Sequence, residues 1–282
     1  MAQTLQGYIT QVRRLLHDAN GNFYSDQQLT DYINAGRERV VRDTGCLRTI
    51  QITTVPTTPV AGGATPYFWT GGGTANTGDY VVYNIFIYKV VSGGVFSDTA
   101  PNYPSGPNPY PPSTTFLNGT VTLQYAGPSE IINFSCLPQG TQTLDVLNIN
   151  LYWGNTRIPM RYLSWTDFNA QLRFWQNYIG RPIAFSVFGQ SQIYISPVPD
   201  QVYTVEIDTV ILPTPMVNLA DTDTINDPYY NPVQFYAAYQ AKYFEQSFGE
   251  AEIFKQQYDK QVMAVQTSVY TRRMLNPYST PY

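Results

Sequence analysis

The one histidine in this 282-residue sequence, His17, stands beside Asp18, and an imidazole next to a carboxylate is half of a proton-transfer pair. No G-x-S-x-G or other nucleophile motif accompanies it, so a capping or surface histidine is the plainer reading. Asp221-Thr222-Asp223 with Asp227 resembles the start of a calcium loop, in which oxygen ligands recur at alternate positions. Asn226 stands where that loop needs Gly, and Pro232 where it needs the bidentate Glu; a turn before a helix is the other reading. Gly71-Gly72-Gly73 has neither the Lys nor the strand–helix context of a phosphate loop. Cys46 and Cys136 lie 90 residues apart without a C-x-x-C and read as buried free thiols rather than a disulfide. A single His removes His-pair chemistry, multi-His zinc sites and H-E-x-x-H helices, and no local pair of carboxylates suggests glycoside hydrolysis. No catalytic residue, metal ligand or cofactor is assigned, and the chain is not expected to be an enzyme.

The composition points elsewhere. Charged residues make up 13% of the chain, against roughly 25% in ordinary soluble domains, while 24 Tyr, 14 Phe and 4 Trp bring the aromatics to 15%. Interface cores are rich in aromatics and poor in Lys, Glu and Asp; surface strands also carry Tyr, and composition alone leaves both readings open. A formal charge of −4 argues against a general nucleic-acid binder, whose affinity rests on Lys and Arg neutralising phosphates. The start of the chain has no basic region followed by an apolar one, and no apolar run reaches 18 residues, so neither a signal peptide nor a membrane span is expected. Without a secretory signal, the sequons at Asn118 and Asn133 carry no weight.

These residues must be positioned by elements whose order reads helix, helix, a long β-rich body, helix, helix. Apolar residues at 5, 8, 9, 12, 15 and 16 follow helical spacing. Ser25 and Gln28 form a capping box for a second helix that Gly45 stops. From about Arg48 to Asp227 the period becomes two, as in Ile50-Gln51-Ile52-Thr53, Thr120–Tyr125, Gln192–Ile195 and Tyr203–Asp208, which argues for an antiparallel sandwich or barrel-like body. One helix interrupts it, capped at Ser164 and carrying Phe168, Leu172 and Trp175. Residues 56–115, rich in Gly, Pro, Thr, Ser and Tyr, read as an elaborated loop with one strand pair, Tyr80–Val91; a partly disordered linker is the alternative. Asn231-Pro232 reads as a cap with Pro at the first helical position, followed by an aromatic face at Phe235, Tyr236, Tyr239, Tyr243 and Phe244. Glu250–Arg273 forms a second long helix, with Ala251, Phe254, Tyr258, Val262, Val265 and Val269 along one seam.

Two stretches carry a resemblance. Tyr8-Ile9-Thr10-Gln11-Val12-Arg13-Arg14-Leu15-Leu16-His17-Asp18, followed by Phe23-Tyr24-Ser25-Asp26-Gln27-Gln28-Leu29-Thr30-Asp31-Tyr32-Ile33-Asn34, resembles the opening of tailed-bacteriophage head-to-tail connector adaptor proteins, which bind beneath the portal and include the tail tubular A type. Gly189 to Pro199, with Ser196-Pro197-Val198-Pro199-Asp200, and Val233 to Tyr258, with Phe248-Gly249-Glu250-Ala251-Glu252, are similar to later parts of the same family. The likeness covers 1–49 and 160–273 and leaves 56–115 as this chain's own elaboration.

The resemblance implies an α+β fold: a helical bundle domain made by both chain ends, 1–49 and 228–273, with an inserted antiparallel β-rich domain at 50–227 and a C-terminal portal-docking tail at 274–282. It implies a homo-oligomeric ring of twelve copies in the virion neck, made in the host cytoplasm. The ring's partners would be the portal protein, a downstream nozzle or hub protein, and fibre or collar proteins. DNA would pass through the lumen without sequence-specific binding, and no membrane is involved. The portal-binding role falls by position on Tyr270, Arg272, Arg273, Met274, Leu275, Tyr278 and Tyr282. An irregular Pro/Tyr tail can order on binding and offers aromatic anchors, while Arg272 and Arg273 either pair with portal acids or complement the helix C-terminus.

Residues 50–227 hold 5 Lys+Arg against 11 Asp+Glu. Lining a channel, that surface would repel DNA and favour passage; an ordinary solubilising surface is the alternative. A second functional reading is a glycan- or host-receptor-binding virion protein, because Tyr67, Phe68, Trp69, Tyr103 and Tyr110 on β loops would suit sugar stacking as a peripheral contact loop. A third, peptidoglycan hydrolysis, would need a specific catalytic acid.

Overall fold

The computed structural model describes residues 3–101, 115–172 and 178–272. Among them the chain forms an α+β fold with five α-helices, and it divides into two compact units: 1–48 with 210–282, and 49–209.

The first unit is built on α1 (Leu5–Leu15), α2 (Asp26–Thr44), α4 (Asn231–Phe244) and α5 (Phe248–Arg272). Helical spacing puts Leu5, Tyr8, Ile9 and Val12 on one face of α1, and Leu29, Ile33 and Val40 on one face of α2. With Val233, Ala237, Ala238 and Ala241 of α4 and Tyr258 and Val262 of α5, these residues form one buried cluster. Each large aliphatic side chain buried in this way contributes roughly 1.5–3 kcal/mol. Helix α2 starts as its sequence dictates: the Ser25 hydroxyl accepts from the Gln28 amide, and the Gln28 side chain accepts from the Ser25 amide at 3.1 Å. It ends at Gly45, whose φ of 59° is a left-handed conformation open to Gly at little cost. The start of α4 differs from the expected Asn231 cap. Tyr230 is the cap residue, without a side-chain bond, and Asn231 and Pro232 are already in the first turn.

Residues 210–227, expected in the β domain, lie in the unit of the helices. The reason is a set of straps. The Asn34 side chain bonds both the carbonyl (2.9 Å) and the amide (2.9 Å) of Met216. The first-turn amides of Leu5 and Gln6 donate to the carbonyls of Asp221 and Leu219, satisfying donors that a helix start otherwise leaves open. Moving Asp221, Asp223 and Asp227 out of the β body leaves residues 49–209 with 5 Lys+Arg and 8 Asp+Glu, a milder imbalance than the sequence reading assumed.

The second unit carries the sheets. Strands β1 (Arg48–Val55), β15 (Tyr203–Ile211), β10 (Thr143–Trp153) and β11 (Thr156–Pro159) form one sheet in that order. A second consists of β12 (Arg161–Tyr162), β13 (Ala184–Phe188), β14 (Gln192–Ser196) and β9 (Ile131–Asn133). The two share a core that includes Val55, Ile132, Ile149, Leu151, Phe185, Ile193, Val205 and Ile207. A third sheet runs β2 (Tyr67–Phe68), β4 (Tyr80–Tyr83), β5 (Phe86–Ser92), β8 (Val121–Pro128) and β7 (Thr115–Asn118), beside the small pair β3 (Thr74–Ala75) and β6 (Gly94–Val95).

The expected antiparallel body is therefore mixed: β2 pairs with β4, and β12 with β13, in parallel. Parallel neighbours need a crossover, and the helix α3 (Trp165–Gln171), capped by Ser164 as expected, lies in the one between β12 and β13. The strand pair expected at Tyr80–Val91 is β4–β5. Around it, the stretch read as a loop also contributes β2, β3 and β6. Trp175 of the expected helix and Pro104 to Pro112 lie outside the described residues.

Strand β1 alternates as expected, with its isoleucines on the outer side. Ile50 and Ile52 are exposed, at 60% and 58%, while Gln51 between them is buried. Gln51 faces inward because every polar atom of its amide is used: Nε2 donates to the hydroxyls of Thr143 (2.9 Å) and Thr209 (2.8 Å), and Oε1 accepts from the Gln139 amide (2.8 Å).

Candidate functional site

One buried polar cluster joins three distant parts of the chain. Arg37 of α2 reaches Asp223 through Nε (3.1 Å) and Nη2 (2.8 Å), and its Nη1 bonds Asn34 Oδ1 (3.1 Å) and the Thr214 carbonyl (2.8 Å). The Tyr8 hydroxyl of α1 donates to the other oxygen of Asp223 at 2.5 Å, and the Ile225 amide also donates to Asp223. Burial first, then the Asp223 charge, pushes the Tyr8 phenol far above its ordinary value. Arg37 and Asp223 are almost wholly removed from solvent, so the cluster is a clamp within the helical unit.

Around Asp18 the turn between α1 and α2 is organised in the same way. Its carboxylate accepts the amides of Asn22 (2.8 Å) and Tyr24 (3.1 Å) and pairs with Arg13 (3.0 Å), which extends to the Tyr24 carbonyl and Asp26. Burial alone would raise the Asp18 carboxyl, but the amides of Tyr24, Asn22 and Phe23 and the Arg13 charge outweigh it and hold it below the ordinary value. Its neighbour His17 is exposed with φ 56°, so the two side chains are committed differently and form no proton-transfer pair.

The acids of 221–227 are likewise divided. Asp221 accepts the amides of Val217 and Asn218, both at 2.8 Å, which lower its carboxyl; Asp223 belongs to the clamp; Asp227 bonds Asn231. Among the described residues no group of three or more His, Cys, Asp or Glu could hold a metal ion. Cys46 and Cys136 are free thiols, and burial raises both, which keeps them protonated and poorly nucleophilic. The clamp was beyond the reach of sequence reading, because Tyr8, Arg37 and Asp223 are adjacent only in the fold.

The residues assigned to outside contacts are placed as follows. Tyr270 and Arg272 lie on the last turns of α5, with their side chains outside the described ones. Arg273, Met274, Leu275, Tyr278 and Tyr282 are outside the described residues, as are Tyr103 and Tyr110. Tyr67 and Phe68 are half-buried in β2 instead of standing in an open loop, and Trp69 follows them. Tyr67 and Trp69 pack on the core of Val81, Tyr88 and Leu123, and Phe68 on that of Tyr80, Val82 and Ile87. Trp69 meets Tyr83 edge to face at 5.4 Å, and the Tyr67 phenol, buried beside Asp79, is pushed up to about 12.

Exposed apolar surface lies elsewhere. Where α4 turns into α5, Tyr243, Phe244 and Phe248 are exposed; Phe244 stacks on Tyr32 of α2 at 5.6 Å, and Tyr243 meets Phe248 at 5.5 Å. In the β unit the exposed apolar side chains include Ile50, Ile52 and Trp153, the last with the Arg181 guanidinium 4.1 Å above its ring. No helix among the described residues is long and apolar enough to cross a membrane.

Residues 111–280 match the family described as SU10 adaptor protein. No curated protein matches the chain. The family match spans more than half of the sequence, from just before β7 through α5, so the chain belongs to the SU10 adaptor protein family. This is a structural family of phage adaptors, not an enzyme family, and it places the chain in the virion among other virion proteins.

Proposed function

We propose that this chain, as a member of that family, is the ring-forming adaptor that joins the phage portal to the tail and contributes to the DNA exit channel. The observation that carries the reading is the family match over 111–280. It takes in α4, α5 and most of the positions assigned to the portal, Tyr270, Arg272, Arg273, Met274, Leu275 and Tyr278. In this reading both chain ends form a helical bundle domain that holds the β-rich domain between them, residues 274–282 dock on the portal, and twelve copies close the ring. A nozzle or hub protein lies below it, and fibre or collar proteins can attach at its periphery. The low charge content and the exposed rings at Tyr243, Phe244 and Phe248 support a molecule whose surface is covered by neighbours, because interface cores favour aromatics and exclude charges.

Truncation tests the docking assignment. The full chain and two shortened forms, ending at Arg273 and before Ser268, are mixed with portal and followed by co-sedimentation. Both shortened forms are expected to lose portal binding while keeping the circular dichroism of the folded chain. Portal binding undiminished by either truncation overturns the role of the tail.

A further inference from the structure

The chain contains two Asn-Gly dipeptides, Asn20-Gly21 and Asn118-Gly119, and the fold treats them oppositely. Asn118 is buried, and its side chain is pinned at both ends: Nδ2 donates to the Thr99 carbonyl at 2.9 Å, and Oδ1 accepts from the Ser97 amide at 3.2 Å. Gly119 after it sits in the tight β7–β8 turn, with the backbone of Val95 to Ser97 against its Cα. Asn20 is exposed in the α1–α2 turn, its side chain makes no hydrogen bond among the described residues, and it borders an open groove of about 540 Å³ that admits water. A following Gly has no Cβ to obstruct approach of its amide nitrogen to the asparagine side chain.

We propose that Asn20 is a site of spontaneous deamidation, a covalent modification that acts on the turn held by Asp18. Hydroxide removes the Gly21 amide proton, and the nitrogen attacks the Asn20 side-chain carbonyl carbon. The bond from Cγ to Nδ2 breaks, and Nδ2 leaves as ammonia. Water then opens the resulting five-membered imide at either carbonyl to give aspartate or isoaspartate. The Gly21 amide donates to the Asp18 carbonyl at 3.1 Å, and this is the single backbone bond that must open first. The isoaspartyl product adds a methylene to the main chain inside the turn whose amides at Asn22, Phe23 and Tyr24 converge on the Asp18 carboxylate. That convergence depends on chain length, so the modified turn releases those amides.

The test is peptide mapping by mass spectrometry of the full-length protein aged in mildly alkaline buffer, beside an Asn20→Gln variant. The peptide containing Asn20 is expected to gain about one dalton, as NH2 is replaced by OH, with isoaspartate as a product and a rate that rises with pH. Asn118 is expected to convert roughly tenfold or more slowly in the folded protein, because it must wait for local opening, and to catch up in urea. Asn20→Gln abolishes the gain. Retention of the Asn20 amide, or equal rates at the two sites in the folded protein, overturns the proposal. Hydrogen exchange on the aged sample reads the consequence: protection at 22–24 falls, and unchanged protection contradicts the effect on the turn.

Discussion

The two units hold their interiors together with different chemistry. In the helical unit the central tie is ionic: Arg37, Asp223 and Tyr8 connect α2, the 214–225 segment and α1. In the β unit it is neutral, with one amide, Gln51, joining β1, β15 and β10 through Thr209 and Thr143. A buried ion pair is costly to break, since its partner is left charged and unsolvated, whereas a lost neutral bond strands only dipoles. The helical unit thus depends on a tie with no tolerance for loss of one member. The β unit, formed by a continuous stretch, depends on one that degrades gently.

Single substitutions turn this difference into magnitudes. Asp223→Ala strands Arg37 and is expected to destabilise the helical unit by about 3–5 kcal/mol. Hydrogen exchange should then show protection lost across Leu5–Leu15 and Asn231–Phe244 and kept in Tyr203–Ile211. Loss spread equally over both units would erase the distinction. Gln51→Ala is expected to cost about 1–3 kcal/mol and to reverse that pattern, loosening β1 and β15 in urea titrations while the helices hold. Ser25→Ala removes one half of a capping box and should lower stability by roughly 1 kcal/mol, read as fraying of the first turn of α2. The smallest effect belongs to Ile50→Thr with Ile52→Thr. Both side chains are exposed, so thermal unfolding of the isolated chain should move by no more than about 0.5 kcal/mol for each. A large loss would mean that these side chains are covered within the monomer.

The sequence foretold what is settled between near neighbours. The Ser25–Gln28 box, the Gly45 stop, the α5 seam of Ala251, Phe254, Tyr258, Val262 and Val265, and the β4–β5 hairpin depend on contacts a few residues apart, and periodicity reports them. Strand β1 was legible as a strand but not in its facing: alternation says which residues share a side, and only the distant hydroxyls of Thr143 and Thr209 decide that Gln51 turns inward. The same limit hid the clamp. Asp223 looked like part of an acidic turn, because Arg37, 186 positions away, is the residue that explains it. The 210–227 segment was misplaced for a related reason, since its straps to Leu5, Gln6 and Asn34 leave no local pattern. The aromatic residues Tyr67, Phe68 and Trp69 showed their type without their burial.

The central claim is that this adaptor functions as a ring on the portal. Electron microscopy of the purified chain, alone and mixed with portal, tests it most directly. The account predicts a closed ring of twelve copies seated on the portal, with a continuous central channel. Portal particles that remain bare in the presence of excess chain would contradict it.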